Sequence, residues 1–174
     1  MYALKDAATV ELQNGGDSGR ALVWLRRAIP LFQTRVKTKY FDPAREVAKL
    51  RKVLAQVLCD LGRSSEAELP ARQSMAYFEE HPSDSTVLGC MYWALAARAP
   101  GRSLLGQDKA EQAEPVFRDA AEFAERRHRL KPEDIGTTRW RANLLKELAE
   151  CLDRMGHGDE ANSVRARLAS SKSL

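Results

Sequence analysis

The chain has 174 residues, of which 44% are apolar, 30% charged and only 7% aromatic, and its net charge is +4. That length buries a real core in one ordinary domain, and cations so evenly mixed with anions argue against the clustered footprint of a nucleic-acid binder. Three scattered cysteines (Cys59, Cys90 and Cys151) with no Cys-x-x-Cys pair argue against a disulfide or zinc framework and for a reducing compartment.

Ala, Leu, Arg and Glu dominate while Val and Ile are sparse, so an all-helical protein is predicted. The first helix, 2–12, carries Tyr2, Leu4, Val10 and Leu12, and no clear cap precedes it. We expect it to pack on something upstream, as in the C-terminal segment of a longer protein. Asp6 and Glu11 fall where a signal peptide needs an apolar core. The linker "NGGDSGRAL" at 14–22 leads into a second helix with Ala21, Leu25 and Ala28. Asp42-Pro43 opens a third helix with a cap and a first-turn proline. Its apolar residues Val47, Leu50, Leu54, Val57, Leu58 and Leu61 recur near a 3.6-residue period.

The next linker is "DLGRSSEAE" at 60–68. Gly62 sits where a helix C-terminus favours a left-handed residue, and Ser65 with Glu68 fits a capping box. A fourth helix carries Ala67, Ala71 and Ser74, and Pro82 follows it. The fifth helix surrounds Trp93. Its uncharged run, 85–97, is too short to cross a bilayer, so no membrane partner is expected and a cytoplasmic location is. Pro100 is read as a breaker, and "APGRSLLGQDK" at 99–109 as an inserted loop whose displaced turn glycine is Gly101 or Gly106. Asp108 with Glu111 fits a second capping box. The sixth helix, with Ala113, Phe117 and Ala120, ends in "ERRHRLK" at 125–131, where cations offset the macrodipole. Pro132 separates it from a seventh helix with Leu144, Leu145, Leu148 and Leu152. The linker "RMGHGDEAN" at 154–162 precedes a last helix with a narrow apolar stripe of Ala161, Val164 and Leu168.

These linkers are one phrase written four times. Their alanines, Ala21, Ala67, Ala113 and Ala161, are 46, 46 and 48 residues apart. Each copy joins two apolar helices, so the chain is an αα-hairpin repeated four times, and stacking covers the face that a lone hairpin leaves open. Ala67 is accordingly expected to be buried between paired helices.

The stretches "ELQNGGDSGRALVWLRRAI", "VLCDLGRSSEAELPARQSM" and "CLDRMGHGDEANSVRARLA" resemble tetratricopeptide (TPR) repeats, with Gly16, Gly62 and Gly156 as the turn glycines. The usual period is about 34 residues. The longer one here is similar to TPR tails of bacterial signalling proteins, including some serine/threonine kinases, although no kinase signature is present. The resemblance implies one domain, 1–174, with units at about 1–40, 41–82, 83–131 and 132–174, coiled into a right-handed superhelix of antiparallel helix pairs. It implies a concave groove lined by the first helix of each pair. Groove positions are then Lys49, Lys52 and Gln56 in the second unit, and Asn143, Lys146, Glu150 and Asp153 in the fourth. The first unit offers Asp6, Val10 and Gln13, and the third Leu88, Met91 and Leu95.

The function implied is a protein–protein interaction scaffold that binds a peptide or protein partner, and the lysines favour an acidic one. The alternative is a regulatory or oligomerisation segment at the C-terminus of a larger bacterial signalling enzyme. Homo-oligomerisation stays open. No cofactor or metal is expected, and no catalytic constellation stands out. His81, His128 and His157 lie in or near linkers without partners at metal spacing. The cysteines read as small core fillers. Gly15-Gly16 and Gly156-x-Gly158 lack the strand and Lys-Ser/Thr of a phosphate loop. Trp24 and Trp93 read as core, and Trp140 as partly exposed.

Overall fold

The computed structural model describes residues 2–13, 15–39, 41–81, 87–130 and 135–169, with backbone only for 13, 87–95 and 135. They form α1 (Tyr2–Gln13), α2 (Ser18–Gln33), α3 (Pro43–Asp60), α4 (Ser64–Glu80), α5 (Val87–Leu105), α6 (Ala110–Leu130), α7 (Ile135–Arg154) and α8 (Gly158–Ala169). Consecutive helices pack against each other throughout. In addition α3 touches α5 and α5 touches α7, while ion pairs link second helices, Arg26 of α2 with Glu66 of α4 and Arg118 of α6 with Glu160 of α8. The first helices α3, α5 and α7 therefore run side by side along one face of an all-α solenoid, which is its inner face. No helix among the described residues is long and apolar enough to cross a membrane.

The repeat register is visible in burial. Ala21, Ala67, Ala113 and Ala161 are each 0% exposed. Four residues on, Leu25, Ala71 and Phe117 are buried and Arg165 is exposed. Seven residues on, Ala28, Ser74 and Ala120 are buried. Small side chains at these positions let paired helices approach. Ser74, the polar member of the set, donates its hydroxyl to the Ala48 carbonyl at 2.8 Å, which removes the cost of burying it. Two large core clusters result, with a small third one of Ala48, Phe78 and Ala96. One lies over the first two pairs around Leu25, Phe32 and Leu58, and the other over the last two around Phe117, Leu144, Leu148 and Leu152.

Every intra-pair turn uses a left-handed residue: Gly15 (φ 66°), Gly62 (φ 70°), Asp108 (φ 58°) and Gly156 (φ 78°). After α3, the Gly62 N–H donates to the Cys59 carbonyl and the Arg63 N–H to the Leu58 carbonyl. Asp108 and Lys109 repeat this with Leu105 and Leu104, so both turns are Schellman motifs. Two expectations change here. The first unit's turn glycine is Gly15 rather than Gly16, and the third turn uses no glycine at its left-handed position. Asp tolerates that region, but at a cost glycine avoids. Asp108→Gly is therefore expected to stabilise the fold by about 0.5–1 kcal/mol, read as a raised urea midpoint. Among the described residues the Asp108 carboxylate, almost fully exposed, makes only a 3.8 Å ion pair with Arg154, too weak to reverse the sign.

The 99–109 segment is not a loop. Helix α5 runs unbroken through Pro100 and Gly101 to Leu105, and the turn occupies residues 106–109. Packing overrides the local breakers. Ala96, Ala97, Ala99, Leu104 and Leu105 are buried, and a Cβ on Gly101 would lie 2.7 Å from the Phe117 ring. Gly101 thus marks a close approach of α5 to α6. Pro82 and Pro132 lie outside the described residues.

Asp42 caps α3 as expected, accepting from the Ala44 and Arg45 amides at 3.0 and 3.2 Å. The two capping boxes do not form. Arg63 holds the cap position of α4 without a side-chain bond, which places Ser65 inside the first turn. Asp108 occupies the left-handed turn, two residues before the start of α6 at Ala110. Trp140 is also corrected, being buried at 4% exposure. Trp24 packs half-buried on the first cluster, and the Trp93 side chain lies outside the described residues. The last pair is fastened by Glu125 of α6, which pairs with Arg141 of α7 and Arg167 of α8.

Candidate functional site

On the inner face the first helices are tied together by ion pairs. Glu46 of α3 takes Lys49 at 2.7 Å and Lys5 of α1 at 3.1 Å. Gln56 donates to Asp60 at 2.7 Å, and Asp60 accepts from Arg102 of α5 at 3.0 Å. Arg98, one turn earlier on α5, grips Glu147 of α7 in a two-pronged pair, and Arg102 lies 3.9 Å from the same carboxylate. The Glu147 bond holds the Arg98 guanidinium above its usual range. Asp60, Arg102, Glu147 and Arg98 thus form a ladder across α3, α5 and α7. The Arg98–Glu147 pair is half-buried, where orientation is worth more than at a fully solvated surface, whereas Asp60 is exposed.

The ladder borders an open cleft of about 330 Å³ lined by Cys59, Ser64, Arg98, Arg102, Glu147 and Arg154 among others. Arg154 donates to the Leu105 carbonyl at 3.0 Å and to Glu150 at 2.9 Å. Burial pushes the Cys59 thiol up, away from the thiolate form. Further along α3, the half-buried Lys52 sits where burial brings its pKa down to about 8, with Arg98 and Lys49 adding repulsion.

The expected groove residues fall in different places. Lys49, Lys52 and Gln56 all lie along α3, and Glu150 lines the inner cleft. Lys146 is exposed and Asn143 half-buried on α7. Asp153 is committed to Arg165 of α8, within its own helix pair. Asp6 and Val10 are exposed on α1. The side chains of Gln13, Leu88, Met91 and Leu95 lie outside the described residues. Arg98, Arg102, Glu147 and Arg154 are functional candidates that the sequence reading missed. The i,i+4 spacing of Arg98 and Arg102 was the available signal, and it is informative only if α5 continues past Pro100.

The remaining reactive groups have ordinary surroundings. Cys151 donates to the Ala110 carbonyl at 3.2 Å and is pushed up to about 11 by burial. His81 is exposed and stacks on Tyr77 with centroids 4.3 Å apart. His157 is exposed, and His128 lies 3.4 Å from the Thr138 hydroxyl. Among the described residues no group of three His, Cys, Asp or Glu side chains is placed to hold a metal ion. The inner face offers a ladder of donors and acceptors with unfilled space beside it, which suits hydrogen bonding to an extended chain.

No protein-family model matches the chain, and no curated protein matches it either. Among solved structures, a TPR-like protein from Chlorobium tepidum superposes with a TM-score of 0.68 at 25% identity, over 86% of this chain and 92% of that one. A putative kinesin light chain from Podosopora anserina with nearly identical TPR-like repeats gives a TM-score of 0.42 at 15% identity, over 98% of this chain and 93% of that one. The first likeness shows the fold.

Proposed function

We propose that this chain, a TPR-like helical-repeat protein, is a non-enzymatic interaction module that binds an extended acidic segment of a partner protein along the inner face of α1, α3, α5 and α7. The observation that carries this reading is Lys52. It is half-buried on α3, with Lys49 on the same helix and Arg98 near it, so cationic side chains gather on this part of the inner face. A partner carboxylate placed there is attracted to them, and charges partly shielded from water interact more strongly than exposed ones. Lys146, exposed on α7, extends the cationic surface, and the polar cleft beside the ladder supplies donors to peptide carbonyls.

Capture from source lysate tests the reading. Wild type is compared with the Lys52→Met/Lys146→Glu double variant, in which methionine keeps the lysine stem but removes the charge. The expected result is a partner retained by wild type and lost, at least tenfold, by the variant at unchanged helicity. Equal retention by both proteins counts against the inner face.

A further inference from the structure

A second cleft lies between α2, α3 and α4. Its floor is the N-terminal half of α3, with Pro43, Val47 and Ala48, and its walls are Gln33 at the end of α2 and Tyr77 near the end of α4. Arg51 stands at one end, and the cavity volume is about 310 Å³. This cleft shares no lining residue with the inner one. Its lining is mainly apolar, and Val47 and Ala48 are already buried at 4% and 1% exposure. Tyr77 is fixed in place. Its hydroxyl donates to Asp42 at 3.2 Å, and its ring is held between Phe78, edge-on at 5.3 Å, and His81, stacked at 4.3 Å. The cleft is therefore preformed, and filling it requires no rearrangement of its aromatic wall.

Arg51 distinguishes this cleft from the inner one. Every arginine of the inner cleft has a carboxylate: Arg98 and Arg102 have Glu147, and Arg154 has Glu150. Arg51 is half-buried, and among the described residues it has neither an ion-pair nor a hydrogen-bond partner. Burial alone lowers its pKa. A partly desolvated guanidinium at the edge of an apolar cavity is complementary to a carboxylate carried next to an apolar group, and guanidinium–carboxylate pairing is directional and two-pronged.

We infer that the second cleft docks a segment of a protein partner bearing a large apolar side chain next to an acidic residue, with the apolar group between Val47 and Tyr77 and the carboxylate on Arg51. This surface is separate from the inner cleft and does not depend on the reading proposed for the inner face. Arginine and aromatic side chains around a small apolar pocket are the usual composition of an interaction hot spot.

The test is a ¹H–¹⁵N NMR titration of the full chain with two capped probes, acetyl-Gly-Asp-Phe-Gly-amide and acetyl-Gly-Phe-Asp-Gly-amide, and with their Asn counterparts. The expected result is saturable shifts in the amides of 43–51 and 77–78 with at least one Asp probe, bound at least tenfold more tightly than its Asn counterpart. Arg51→Gln removes the Asp preference without moving the thermal midpoint, since Arg51 holds no structural pair. Ala44 is exposed at the cleft, so Ala44→Leu fills it without unfolding the protein and abolishes binding. Asp119→Asn, on the exposed surface of α6, leaves the probe affinity unchanged. The proposal is overturned by no saturable shift at millimolar probe, by shifts on α5 and α7 instead, or by an Asp preference that survives Arg51→Gln. It is equally overturned if free phenylacetate binds as tightly as the peptides, which would make the ligand a small carboxylate.

Discussion

Phe117→Ala is expected to lower the free energy of unfolding by about 3–5 kcal/mol. Phe117 is 0% exposed and stands four residues after the anchor Ala113, where the first two units carry Leu25 and Ala71. Its ring fills the space opposite Gly101, the point at which α5 continues through two local helix breakers. Truncation leaves a void between α5 and α6 that neither backbone can close without disturbing the stack. Urea unfolding checks this. The midpoint should fall sharply at an unchanged slope, whereas Phe123→Ala, at a half-buried site on the same helix, should cost clearly less. Equal losses at the two positions would mean that the register around Ala113 is misplaced.

Lys52→Met is expected to stabilise the protein at neutral pH by about 1–3 kcal/mol. Burial, helped by Arg98 and Lys49, lowers the Lys52 pKa from 10.5 to about 8. The unfolded chain therefore binds this proton more tightly than the folded one, and the charged lysine destabilises the fold. The penalty is complete below about pH 8 and fades as pH rises towards 10.5, so wild-type stability should climb through that window. The methionine variant lacks this climb, and the two curves should converge near the top of it. Urea midpoints at pH 7, 9 and 10.5 decide the matter. A variant less stable than wild type at pH 7 would mean that the ammonium is well compensated in the folded state, which would remove the basis for an acidic partner.

Much of the fold is legible in the residues themselves, because the repeated features are local. Ala21, Ala67, Ala113 and Ala161 announce the helix-pair contacts by being small at a fixed spacing. Gly62 and Gly156 announce turns because other residues avoid positive φ, and Asp42-Pro43 announces the start of α3. What stays hidden depends on distant contacts. Pro100 and Gly101 read as a break, yet they sit inside α5 because Gly101 admits the Phe117 ring and the flanking alanines are buried. Tertiary packing outweighs a propensity cost of this size. Asp108 hides the third turn because Asp also visits the left-handed region. The burial of Trp140 comes from packing around α7 that its polar neighbours do not reveal.

The groove positions could be placed from sequence only on α3 and α7, where the repeat copies align well. Misplacing the end of α5 removed Arg98 and Arg102 from view, and with them the ladder to Glu147 and Asp60. Asp153 has a tie that its register does not reveal, because Arg165 on α8 pairs with its carboxylate.

The most direct measurement of the central claim, that the inner face holds the partner, is site-specific photocrosslinking in source lysate. A benzophenone amino acid is placed at Gln56 or Lys146 on the inner helices, or at Asp119 or Glu122 on the exposed surface of α6. The account predicts a shared, discrete adduct from Gln56 and Lys146 that is absent from Asp119 and Glu122. An adduct formed only from Asp119 or Glu122 would contradict it and move the interaction to the outer surface.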